Sequence, residues 1–166
     1  MKKLILFSVI IIVVSTNAFA QNENKFAFSV GPELSIPTGS FSNTHSAGTG
    51  ATVQAEYFVM EKLKATATFG VLAYFGNSSA LTVAPLRIGA KYFLTEGIYG
   101  AAQLGVAFLG NYASTTAFAY SPLTLGYEFK TKSDKKIDAS VKYDAYSAGL
   151  GVGTIGAFGV RLAYVF

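Results

Sequence analysis

The residues of this chain that could do chemistry are few. His45, its lone histidine, is flanked by Ser42 and Ser46 in the stretch "PTGSFSNTHSAGTG". A hydroxyl beside an imidazole suggests nucleophilic acyl chemistry, but the base must be oriented by a third group, usually a carboxylate. That stretch holds no Asp or Glu, so His45 is expected to be a solvated loop residue and the chain is not read as an enzyme. Metal binding has as little to work with, because there is no cysteine, no second histidine and no loop carboxylate beside the first. No cofactor or metal is expected.

Ten other ionisable residues obey a period-two rule. Glu33, Glu56, Lys64, Arg87, Lys91, Glu128, Asp138, Lys142, Asp144 and Arg161 all stand on the small or polar side of stretches whose alternate residues are apolar. In "KFAFSVGPELSIP", for example, Phe26, Phe28, Val30, Leu34 and Ile36 alternate with Ala27, Ser29, Gly31, Glu33 and Ser35. In "IDASVKYDAYS", Ile137, Ala139, Val141 and Tyr143 alternate with Asp138, Ser140, Lys142 and Asp144. Alternation of this kind is the mark of a β-strand with two unlike faces.

Eight such stretches run along the chain, of roughly 8–13 residues, a range that brackets the roughly 9–11 a tilted strand needs to cross a bilayer. The connections after the second, fourth and sixth are short and charged, at Glu61-Lys62, Thr95-Glu96-Gly97 and "TKSDKK". The other connections are mostly longer and contain no Asp, Glu, Lys or Arg. In outer-membrane barrels the tight turns are periplasmic, so both termini are expected at the periplasmic rim. Aromatic girdles are expected at both interfaces, from Phe26, Tyr57, Tyr92, Tyr99, Tyr127, Phe129, Tyr164 and Phe166 on that side and Phe75, Phe108, Tyr112, Phe118, Tyr120 and Tyr146 on the other.

Composition and the N-terminus agree with export to a membrane. Residues 1–20 carry two lysines, an apolar run from Leu4 to Val14 and the small-x-small sequence Ala18-Phe19-Ala20, the pattern of a signal peptide. The barrel is expected to occupy residues 21–166. Charged residues make up 13% of the chain, against about 25% in a soluble domain, so a watery exterior is disfavoured. Without the leader lysines the formal charge falls from +4 to +2. No nucleic-acid partner is inferred.

The last strand carries the most specific pattern. Gly159, Leu162, Tyr164 and Phe166 resemble the terminal signal read by the outer-membrane barrel insertion machinery. Together with hairpins such as "PLRIGAKYFL"–"GIYGAAQLGVAF", they make the chain resemble the outer membrane protein beta-barrel domain family, the small eight-stranded barrels of the OmpA and OmpX type. The resemblance implies an all-β, eight-stranded, antiparallel up-and-down transmembrane barrel in the bacterial outer membrane, with lipid and that machinery as partners.

A sheet in lipid must close on itself to pair its backbone, and eight strands leave an interior just wide enough for side chains. The ten charged residues, five acids and five bases, are therefore expected to pair inside the lumen. Two uses follow: a plugged polar core, which is favoured, or a porin-like conduction path. The function expected is a non-catalytic envelope element. A surface adhesin or ligand-binding barrel acting through its loops is the other reading, with its ligand unspecified.

Overall fold

Alternation becomes eight strands in the computed structural model, which describes residues 25–77, 79–110, 115–131, 135–147 and 154–166. They are β1 (Phe26–Thr38), β2 (His45–Met60), β3 (Leu63–Gly76), β4 (Leu81–Phe93), β5 (Ile98–Gly110), β6 (Thr115–Lys130), β7 (Lys136–Ser147) and β8 (Thr154–Val165). The expected leader, residues 1–20, lies outside the described residues. Each strand pairs antiparallel with the next, and β8 pairs with β1 to close the barrel. Closure leaves no unpaired sheet edge, which is the condition for a sheet to sit in hydrocarbon.

The β1–β8 seam sets Val30 against Tyr164 and Glu33 against Arg161, and Phe166 donates its N–H to the Phe28 carbonyl at 2.8 Å. Gly31 permits this approach: a Cβ there would run into the Leu162 carbonyl and the Ala163 Cα.

The two faces differ as the alternation requires. Phe28, Leu34, Ile36, Val53, Phe69, Leu86, Ile88, Leu104, Val141 and Val160 all point outward and are exposed. Soluble monomers rarely expose contiguous apolar patches beyond a few hundred Å². Burying one such side chain is favourable by roughly 1.5–3 kcal/mol, so the outer band needs an apolar solvent. No described helix is long and apolar enough to cross a membrane; the strands supply the apolar surface.

Three features depart from the pattern read in the sequence. First, β1 runs on to Thr38 and β2 begins at His45, so only Gly39–Thr44 of "PTGSFSNTHSAGTG" is not strand, and Gly48 and Gly50 pair with Tyr74 and Leu72. Only Gly39–Thr44 links β1 to β2, as a 3-10 helix over Gly39–Asn43 that starts at Gly39 with φ +60°, a conformation glycine adopts without steric cost. Second, β6 carries a bulge, its register shifting between Tyr120 and Leu123 against β7 and between Ser121 and Thr124 against β5. Pro122 lies there; it has no N–H to give the ladder, and a bulge is where a strand tolerates it. Third, two expected girdle residues, Tyr99 and Tyr146, point inward and are buried. Tyr112 lies outside the described residues.

Candidate functional site

The lumen is the place where chemistry-bearing side chains converge. All ten charged residues read from the alternation are buried, and each lies within 4.0 Å of an opposite charge. Strand register explains how a narrow barrel fits such long side chains. Arg87 stands opposite Gly105, Lys142 opposite Gly159 and Glu33 opposite Gly50. Each of these three long residues has, on one side, a neighbour with no side chain.

Near the rim that holds the short turns, Lys91 is the hub of the first cluster. Its ammonium reaches Glu56 at 2.9 Å, Glu128 at 2.6 Å and Asp138 at 2.7 Å, and it sits 3.9 Å from the Tyr99 ring centroid. Lys64 joins from β3, at 2.7 Å from Glu56 and 3.3 Å from Glu128. Lys136 adds a further contact to Glu128 at 3.0 Å. Phe58 and Phe93 lie under Lys64, with ring centroids 4.5 and 4.7 Å from its ammonium. The carboxylates of Glu56, Glu128 and Asp138 are close enough together to hold a metal ion. Lys91 Nζ already takes the position of the cation.

A polar layer follows. Arg161 donates to Thr52 Oγ1 at 2.6 Å and Ser29 Oγ at 2.9 Å, and its nearest carboxylate, Asp138, is 4.0 Å away. Glu33, its cross-strand neighbour, pairs instead with Lys142 at 2.9 Å. Gln103 donates to Thr66 and Thr68, and Thr68 donates to Gln54. The cavity among these side chains measures about 20 Å³, room for about one water molecule.

Above it the second ionic cluster joins Lys142, Glu33, Asp144 and Arg87. Lys142 also reaches Asp144 at 3.3 Å; Arg87 donates to Asp144 as well, which accepts a further bond from Ser121 at 2.7 Å. Among the described residues, Glu33 Oε1 and Arg87 Nε and Nη2 lack a hydrogen-bond partner.

The far half of the lumen is apolar. Leu72, Tyr74, Val83, Ala107, Ala117, Ala119, Tyr146 and Ala157 form one buried cluster, and Phe41 from the 3-10 helix inserts into it. The Phe41 ring meets Tyr74 edge-on at 5.0 Å and His45 at 4.7 Å. His45 is therefore not the solvated loop residue expected: it is buried, with Nδ1 2.9 Å from Thr44 Oγ1 and Nε2 3.3 Å from the Ser79 carbonyl. Ser42 bonds back to the Gly39 carbonyl, and Ser46 is exposed at the start of β2. The three do not form a catalytic set.

The four residues of the terminal pattern divide between the faces. Leu162, Tyr164 and Phe166 point outward and are exposed, with the Tyr164 and Phe166 rings 5.0 Å apart. Gly159 faces inward, where an added Cβ would press on Lys142 Cε at 3.1 Å. Sequence reasoning misses Phe41, Lys136 and Tyr99 as lumen residues. Tyr99 is detectable, since it shares the parity of Gln103 and Gly105; Phe41, isolated in a Ser/Gly run, gives no periodic signal.

The sequence profile of a family described as "Putative MetA-pathway of phenol degradation" matches residues 5–162. Among solved structures, Neisserial surface protein A is similar with a TM-score of 0.63 at 13% identity, over 86% of this chain and 96% of that one. Ail, the attachment invasion locus protein of Yersinia pestis, solved with the heparin analogue sucrose octasulfate, gives 0.56 at 18% identity, over 85% and 97%. Outer membrane protein AlkL, solved in lipid bilayers, gives 0.52 at 16% identity, over 87% and 91%. At these identities the likeness is one of fold, that of small outer-membrane barrels. No curated protein matches the sequence.

Proposed function

The chain belongs to the family described as putative MetA-pathway of phenol degradation, and from that premise we propose that it is a non-catalytic, occluded barrel whose role is structural in the outer membrane. The observation that carries this reading is the ionic network strung across the lumen from β2, β3, β4, β6 and β7 through Lys91 and Lys64, beside which a cavity among the described residues measures about 20 Å³. A hydrated path for ions or sugars needs a continuous opening, and a space for one water does not provide it. On this reading both termini lie at the periplasmic rim, and the outer face of β8, with Leu162, Tyr164 and Phe166, is the surface offered to the insertion machinery.

A second reading, passage of a small apolar solute, draws on the apolar far half of the lumen and the Phe41 ring that fills it. The family's description, which names phenol degradation, makes it worth testing, but the ionic network stands below that chamber. Adhesion through long loops finds less support. Strands β1 and β2 leave only Gly39–Thr44 of the first loop between them, and the connections at that end carry no Lys or Arg, unlike what a polyanion such as a heparin analogue requires.

Liposome swelling tests the proposal. Vesicles containing the refolded protein should swell no faster in small sugars than empty vesicles. Swelling that scales with the amount of protein would favour a conduit.

A further inference from the structure

The two ionic clusters of the lumen are each neutral. In the lower one Glu56, Glu128 and Asp138 meet Lys64, Lys91 and Lys136; in the upper one Glu33 and Asp144 meet Lys142 and Arg87. Arg161 stands between them and is the one buried Lys or Arg among the described residues that lies outside both balances. Glu33 faces it across the β1–β8 seam but is taken by Lys142. Asp138, 4.0 Å away, is already held by Lys91 at 2.7 Å and by the Tyr99 hydroxyl. The middle of the lumen therefore carries one positive charge more than its acids neutralise, and an uncompensated charge in a dry interior is costly.

The cavity beside Arg161 has the lining for the missing charge. It measures about 20 Å³ and is bounded by Arg161, Lys91 and Lys142, with Gln103, Thr124 and Ser140 among its other walls, and no carboxylate lines it. Arg161 gives two of its five N–H groups to Thr52 and Ser29. Lys142 meets two acids with its three, so both cations keep donors over. Lys91 spends its three on Glu56, Glu128 and Asp138 and offers the cavity charge alone. The Thr124 and Ser140 hydroxyls can turn a hydrogen toward the centre. A water molecule would accept these donors and leave the charge of Arg161 as it is. A space for about one water also admits a monatomic anion, and it excludes phosphate, sulfate or an organic acid by size.

We propose that this cavity is a binding site for a single halide ion such as chloride, held among Arg161, Lys142 and Lys91 as the counter-charge that the chain itself does not supply. The carboxylates of the two clusters flank the site toward either rim, so the ion is a resident one rather than a permeant one. A halide held in this way neither needs nor supplies a conduction path, and the site stands apart from the structural role proposed above.

The test uses the full-length protein refolded into phosphatidylcholine vesicles. Sodium gluconate, whose anion is too large for the cavity, is exchanged for sodium chloride or bromide at constant ionic strength, and urea unfolding gives the folding equilibrium in each salt. A ligand at about ten times its dissociation constant shifts that equilibrium about tenfold, and the wild type should gain a shift of that order in either halide, saturating with concentration. Arg161→Lys should keep the dependence. Arg161→Gln removes the excess charge, and Ser140→Asp sets a carboxylate opposite Arg161 across β7 and β8; each should reduce the halide effect to within about twofold. Heat-modified gel mobility checks that each variant is folded. Crystals grown in bromide should show one anomalous peak between Arg161 and Lys142 in the wild type and none there in Ser140→Asp. Equal unfolding midpoints in gluconate and chloride, a full halide effect in Arg161→Gln, or bromide crystals with water alone in the cavity would each overturn the assignment.

Discussion

Replacing Lys91 with methionine removes the hub of the lower ionic cluster while keeping an unbranched side chain of similar bulk, so cavity effects stay small. Its three carboxylate partners are not left equally stranded. Glu56 keeps Lys64 at 2.7 Å and Gln54 at 2.8 Å. Glu128 keeps Lys64 at 3.3 Å and Lys136 at 3.0 Å. Asp138 keeps the Tyr99 hydroxyl at 2.8 Å, with Arg161 4.0 Å away. The loss therefore concentrates on Asp138, and stranding one buried charge costs about 3–5 kcal/mol, between about two and three and a half powers of ten in the folding equilibrium. Asp138→Asn on the Lys91→Met background removes the stranded charge and should recover part of that loss, with a coupling of about 1–3 kcal/mol. Urea unfolding in phospholipid vesicles, followed by far-UV circular dichroism, measures all four proteins of the cycle. If Lys91→Met unfolds at the wild-type midpoint and the two substitutions are additive, the lumen is wet enough to screen its charges and the network does not hold the barrel closed.

Other outcomes follow from the same geometry. Arg161→Ala, which loses bonds to Thr52 and Ser29 rather than a close ion pair, should cost about 1.5–3 kcal/mol in the same assay, less than Lys91→Met. Phe41→Ala empties the apolar half and should destabilise by about 3 kcal/mol, yet leave vesicles tight because the ionic layers below are untouched; rapid sugar uptake would place the seal at Phe41 instead. A cysteine at Ser46, exposed at the far end, should be labelled by an impermeant reagent on intact cells, whereas one at Glu96 should not; the reverse pattern would turn the barrel over. Phe166→Asp sets a charge beside Tyr164 on the outer face of the closing strand and should reduce membrane-inserted protein while export continues, as read by fractionation; normal insertion would remove Phe166 from any assembly role.

The parts of this molecule that repeat every second residue are legible in its sequence. Alternation identifies which face of each strand is inward, and so places Glu33, Arg87, Lys91 and Asp144 in one lumen. It does not choose partners, because pairing depends on height and reach across the barrel. Arg161 is the instructive case: it neighbours Glu33 across the seam, but Lys142 takes that acid. The start of β2 is hidden because Ser46, Ala47, Gly48, Thr49 and Gly50 are all small and give no apolar period, although the segment pairs with β3. That hidden strand is why the first connection looks long and His45 looks solvated. The apolar chamber is half visible, since Leu72 and Tyr74 stand on the same face as Lys64; the plug that fills it comes from a 3-10 helix with no periodicity to read.

Occlusion of the lumen is the central claim, and single-channel recording in a planar bilayer reaches it most directly. With the ionic clusters intact and a cavity of about 20 Å³ between them, the refolded wild type should show no steady conductance above that of the bare bilayer. Lys91→Met, which keeps the bulk of the side chain and leaves the second ionic cluster and the Phe41-filled half in place, should be equally silent although less stable. A large, persistent channel in the wild type, unchanged by Lys91→Met, would contradict the account and make the charged face a path for ions.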